Sequence, residues 1–151
     1  VGPCDKKYKE LAQEFHVHNR VIFAGHVNYR HVPAYIQIAD VCIGPLIASP
    51  YTYGTVPRKV VEYMACGKPV IVARGAVTED LVVDRFSAIM VNSGDEEDVA
   101  GAMILLTNND DLSKIIGKQA QRIIAEGYST ENLASILDET LMGLTCSQIR
   151  R

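Results

Sequence analysis

The chain alternates between two apolar rhythms. In residues 5–16, Tyr8, Leu11, Ala12 and Phe15 recur at i, i+3, i+4 and i+7, the stripe of an amphipathic helix. Four short runs read differently. Arg20-Val21-Ile22-Phe23-Ala24-Gly25, Val41-Cys42-Ile43-Gly44-Pro45, Pro69-Val70-Ile71-Val72-Ala73 and Ala88-Ile89-Met90-Val91 are nearly continuous in apolar residues, the pattern of strands covered on both faces. Between them the spacing predicts helices over 31–40, with Pro33 in its first turn, over 57–66, closed by Gly67 and stopped by Pro69, and a short one over 78–83. Residues 95–107 open with Asp95, Glu96, Glu97 and Asp98, acids that suit the positive end of a helix dipole, and continue with the stripe Val99, Ala102, Met103, Leu106. Leu112, Ile115, Ile116 and Ile123 mark a further helix. Leu133, Ile136, Leu137 and Leu144 mark a last one, N-capped by Ser129. Alternating strands and helices with right-handed crossovers predict an α/β domain, a doubly wound parallel sheet with a helical C-terminal tail, over 1–151.

Composition narrows the class. The 151 residues are 48% hydrophobic, enough for one domain with a sizeable core. No apolar run approaches the roughly 20 residues needed to span a bilayer, and the first residues lack the charged-then-apolar order of a secretory signal, so a soluble, cytoplasmic protein is expected. Nine basic and five acidic residues precede Gly75, while six and thirteen follow it. That asymmetry argues against a nucleic-acid module and leaves room for an anion site in the first half. Cys4, Cys42, Cys66 and Cys146 are widely spaced with no C-x-x-C pair, which indicates neither a zinc site nor a disulfide framework. His16, His18, His26 and His31 form no metal-spaced set, so no metal is expected.

Ligands of open α/β sheets bind beyond the carboxyl ends of the strands, which directs attention to the loops there. The loop over 46–56 is long for a compact α/β unit and runs straight into the predicted helix at 57. Free amides at a helix start suit a phosphate. Gly54 and Thr55 permit close backbone approach, and Arg58 and Lys59 add positive charge. Lys59 and Glu62, three apart, share a helical face, and a solvated ion pair between them is the simplest account of the spacing alone.

The run Gly54-Thr55-Val56-Pro57-Arg58-Lys59-Val60-Val61-Glu62-Tyr63-Met64-Ala65-Cys66-Gly67-Lys68-Pro69-Val70-Ile71 resembles the donor-site segment of group 1 (family 4) glycosyltransferases, enzymes of the two-domain GT-B fold. Val21 to Gly25, Ala39-Asp40-Val41-Cys42-Ile43-Gly44-Pro45-Leu46, Asp84-Arg85-Phe86 and Gly94-Asp95 fall in the order typical of that family's Rossmann-like C-terminal domain, and the match runs from Val1 to about Leu144. The resemblance implies a nucleotide-diphosphate sugar as donor substrate, transfer with retention of configuration to an acceptor, and no further cofactor. It makes Glu62 the acceptor of the donor's ribose hydroxyls. Gly54, Thr55, Val56 and Arg58 become the diphosphate cradle, Lys59 a phosphate partner, and the turn at His26 and Val27 the place of the base edge. Many members carry a first glutamate eight positions before the second; here that position is Gly54, so no catalytic residue is assigned. Pro57 also removes an amide from the cradle.

In the family's full C-terminal domain two strands and a helix precede the Val1-Gly2-Pro3 turn, and a separate N-terminal domain holds the acceptor. The chain is therefore expected to be part of a longer two-domain enzyme, one of polysaccharide biosynthesis, cytoplasmic or peripheral to the membrane, and inactive by itself. Loss of the intervening strands also predicts self-association through sheet edges exposed at the Val21 and Val41 strands. A nucleotide-sugar epimerase of the same fold, and a non-catalytic binding or interaction fragment, are the alternative readings.

Overall fold

The computed structural model describes residues 6–50, 55–77 and 81–148, with side chains to 142. The chain divides into two compact units, Val1–Ile38 and Ala39–Arg151.

The first unit contains helix α1 (Lys6–Glu14), a 3₁₀ turn (Tyr29–His31) and helix α2 (Val32–Gln37). Asn28 starts the 3₁₀ turn by accepting the Arg30 amide on its side chain, and Pro33 lies in the first turn of α2, where its missing N–H costs nothing. The strand expected over residues 20–25 does not form: the run belongs to no ladder, and Ile22 is 92% exposed. With no strand among the described residues of this unit, the α1 stripe has none there to cover. Of its four residues only Ala12 is buried, while Tyr8, Leu11 and Phe15 stay exposed.

The second unit is built on a parallel sheet in the order β1 (Cys42–Ile43), β2 (Val70–Ala73), β3 (Ile89–Val91). All four residues of central β2 are buried, which is why that run carries no polar position. Helix α3 (Arg58–Ala65) makes the crossover from β1 to β2, and α4 (Glu96–Thr107), α5 (Asp110–Gly127) and α6 (Thr130–Gln148) follow β3. Ile71, Ile89, Val91, Ala102, Leu106 and Ile116 form one core cluster shared by sheet, α4 and α5. The short helix expected over 78–83 lies partly outside the described residues, and 81–83 are not helical: Leu81 and Val82 are buried in irregular backbone.

Two glycines permit this packing. A Cβ on Gly44 would press within 2.7 Å of Val72 Cγ1 and 3.0 Å of Val60 Cγ2, so β1 could not lie so near β2 and α3. One on Gly117 would overlap the carbonyl of Gly67, whose φ of +70° closes the turn between α3 and β2.

Candidate functional site

Because β1 and β2 are parallel, the crossover helix α3 starts at the carboxyl edge of the sheet. Val60 and Met64, one turn apart, are fully buried and fix which face of α3 turns inward; Arg58 and Lys59 are exposed, and Glu62 is intermediate. The start of α3 differs from those of the three later helices, though α2 likewise lacks a side-chain cap and a first-turn acid. Asp95, Asn109 and Ser129 each cap the helix that follows, accepting a backbone amide on a side-chain oxygen, and α4, α5 and α6 all carry acids in their first turns. At α3 the cap is Pro57, which makes no side-chain cap bond, and no acid stands in the first turn. The amides of Val60 and Val61 turn back to the Pro57 carbonyl at 2.9 and 3.4 Å. Thr55 and Val56, both exposed, lead into this start.

The ion pair on the outer face differs from the one expected. Glu62 Oε1 lies 3.8 Å from Arg58 Nε, on the preceding turn, and Lys59 takes part in no ion pair among the described residues. Both spacings put a cation beside Glu62, residues four apart being offset by about 40° around the axis and residues three apart by about 60°. Next to Glu62, burial pushes the Tyr63 phenol up, and the neighbouring Cys42 and Glu62 charges add to the effect.

Beyond the strand ends, backbone bonds tie the loops into one floor. Ala73 N–H donates to the Pro45 carbonyl (2.8 Å), Gly94 N–H to Leu46 (3.1 Å), Arg74 N–H to Val91 (2.9 Å), and Ala48 N–H to Ser93 Oγ (2.8 Å). Arg74 also pairs with Asp84 at 2.5 Å. Burial pushes the Asp84 carboxyl up, but the Met90 amide and the Arg74 guanidinium outweigh it and hold the group below its ordinary range. Sequence reasoning missed Ser93 and the Arg74–Asp84 pair as supports of this edge. The signal for Arg74 was its place immediately after a buried strand.

The remaining expectations divide by location. Gly54 lies outside the described residues. His26 (exposed) and Val27 (intermediate) belong to the first unit, whereas Thr55, Val56, Arg58, Lys59 and Glu62 belong to the second, within eight residues of one another along the chain. A 280 Å³ cavity lined by Arg74, Asp84, Arg85, Asn92 and Asp98 and a 270 Å³ cavity lined by Asp40, Lys68, Asp110 and Lys114 do not include Glu62. Among the described residues no three His, Cys, Asp or Glu side chains gather as a metal site, and no helix is long and apolar enough to cross a membrane.

Comparison with known proteins bears on this edge. Residues 1–123 match the model of the family described as glycosyl transferases group 1. An uncharacterized glycosyltransferase of Methanocaldococcus jannaschii is 25% identical over 124 residues, 82% of this chain and 30% of that protein. Sucrose-phosphate synthase from Thermosynechococcus elongatus superposes with a TM-score of 0.80 at 24% identity, over 94% of this chain and 34% of the other. Anabaena Alr3699/HepE, solved in complex with UDP, superposes with a TM-score of 0.81 at 22% identity, over 91% and 36%. The fold is that of GT-B glycosyltransferase structures, and the chain spans about a third of the length of each of these proteins.

Proposed function

The chain belongs to the group 1 glycosyl transferases, and we propose that it forms the part of such an enzyme that binds the nucleotide-diphosphate sugar donor. The observation that carries this reading is the start of α3. It lies at the carboxyl edge of a parallel sheet, lacks the acids and side-chain cap of the later helices, bears Arg58 and Lys59, and presents Glu62 one turn further on. A diphosphate at this start meets the helix dipole and two cations. A carboxylate one turn along suits a vicinal diol, since its two oxygens accept both hydroxyls. In this reading Glu62 takes the ribose, while Thr55, Val56, Arg58 and Lys59, with Gly54, hold the diphosphate. The positive charge opposing the diphosphate comes from the protein itself.

Transfer to an acceptor, with retention of configuration, is the reaction we assign to the complete protein; the acceptor would be held by a domain outside this chain. UDP is the first nucleotide to test, because a structural neighbour has been solved with it. Titration calorimetry with UDP should give binding to the wild-type chain and a loss of about 5- to 100-fold in Glu62→Ala, the effect of withdrawing a half-buried, charged acceptor from the diol. Equal affinity in the two proteins would overturn the assignment.

A further inference from the structure

We infer that Asp84 and Asp98 close the outer edge of the sheet at β3, so that a second copy of this chain can add a strand at β1 and not at β3. Residues of β3 alternate in direction. Val91 takes the Arg74 amide on its carbonyl and so faces β2, while Met90 and Asn92, on either side of it, send their amides outward. Outward amides on an edge strand are a template for another strand. Here three successive ones are occupied from within the chain. The Ala88 amide donates to the Val83 carbonyl at 3.4 Å, the Met90 amide to Asp84 Oδ1 at 2.8 Å and the Asn92 amide to Asp98 Oδ2 at 2.7 Å.

These acceptors imitate a neighbouring strand. Asp84 pairs with Ala88 in a parallel bridge, and the Arg85 amide donates back to the Ala88 carbonyl at 2.8 Å. A continuing strand would next offer its own carbonyl to Met90. Arg85 instead adopts a φ of +58°, in the left-handed region, and turns the chain away, leaving the two carboxylates to stand in for the carbonyls that would follow. Both are held in place. Arg74 pairs with Asp84 at 2.5 Å, and the Asp98 amide donates to Asp95 Oδ1 at 3.0 Å. Bulk is not what excludes a partner: the 280 Å³ cavity lies along this edge, and a Cβ on Gly101 in its α4 wall would meet nothing within 4 Å. A strand entering there would find its amide partners taken and would turn its carbonyls toward two carboxylates. At β1 the amides of Cys42 and Gly44 face β2, and among the described residues no carboxylate takes the outward amide of Ile43.

The test removes the carboxylates in two ways, as Asp84→Ala with Asp98→Ala and as Asp84→Asn with Asp98→Asn, on the full chain carrying Ile43→Lys to silence β1. In sedimentation velocity the alanine pair should gain apparent mass as concentration rises, while the asparagine pair, which keeps both acceptors, should stay monomeric. Adding Met90→Pro removes one freed amide without touching the ladder to β2, and should return the alanine pair to the monomer. Amide exchange followed by NMR reads the contacts one at a time. Asp84→Ala should speed exchange at Met90 by at least about tenfold and Asp98→Ala should do the same at Asn92, with Val91 unchanged in both. Fast exchange at Met90 and Asn92 in the wild type, or a monomeric alanine pair in which both amides exchange fast, would overturn the inference. Equal association of the alanine and asparagine pairs would overturn it too, tracing the effect to lost charge or stability. Where the alanine pair does not fold, the single variants decide: acceleration confined to the named amide supports the closed edge, and uniform acceleration refutes it.

Discussion

Arg74 and Asp84, ten residues apart, meet at 2.5 Å beyond the end of β2, and the second oxygen of Asp84 accepts the Met90 amide at 2.8 Å. One carboxylate thereby joins the loop after β2 to the edge of β3. The pair supports the floor on which the proposed donor site stands, so breaking it should cost stability. Asp84→Asn keeps an acceptor for Met90 but loses the charge, and should lower stability by about 1 kcal/mol, shifting Tm by roughly 2–4 °C. The group's pKa lies below its ordinary value of 3.8. In acid the unfolded chain therefore takes up this proton first, so the contribution is intact above that value and lost as pH falls through the lower folded value. Urea midpoints of wild type and Asp84→Asn should differ at pH 6 and converge toward pH 2; a constant difference would remove Asp84 as the cause.

Cys42 makes an opposite prediction at high pH. Burial, reinforced by the neighbouring Cys66 and only partly offset by Lys68, pushes its thiol up from 9.0 to about 11. The folded chain holds this proton while the unfolded chain releases it, so stability should fall as pH rises from 9 toward 11. At pH 8, iodoacetamide followed by peptide mapping should modify Cys42 only at the rate of opening, at least tenfold slower than Cys66. Equal labelling of the two would show that β1 is not protected.

Gly117→Ala should be the more damaging of two matched helix substitutions, because its methyl would strike the backbone carbonyl of Gly67 rather than a yielding side chain. A loss of about 1–3 kcal/mol is expected. Gly101→Ala meets nothing within 4 Å inside α4 and should stabilise by about 0.5–1 kcal/mol. Thermal melts of the two variants check both signs.

Among the described residues, β1, the strand expected at Val41, has a ladder neighbour only in β2. Self-association through its other side remains our proposal for the isolated chain, with Ile43 37% exposed on that edge strand. Sedimentation velocity should show an apparent mass that rises with concentration and returns to the monomer in Ile43→Lys; a monomer throughout would end that proposal.

What could be read from the sequence follows from what an apolar run encodes. Val70-Ile71-Val72-Ala73 is a central strand buried on both faces, so its composition alone identifies it. Residues 20–25 have the same composition without forming a ladder, because hydrophobicity records a tendency to be buried and not a pairing partner. The capped starts of α4 and α6 were legible from Asp95 and Ser129, whose bonds span three residues. The Ala48–Ser93 bond joins positions 45 apart and leaves no local trace. Periodicity placed Glu62 on an outer face beside a cation, yet the choice of Arg58 over Lys59 rests on side-chain geometry that spacing does not determine.

The central claim, that Glu62 binds the ribose diol of a nucleotide donor, is tested most directly by removing the diol and the carboxylate in turn. The affinities of UDP and 2′,3′-dideoxy-UDP, each measured on wild type and Glu62→Ala, form a closed cycle. The claim predicts that loss of the hydroxyls weakens binding to the wild type by at least tenfold and leaves binding to Glu62→Ala nearly unchanged. An equal loss in both proteins would mean that the hydroxyls bind elsewhere, and would contradict it.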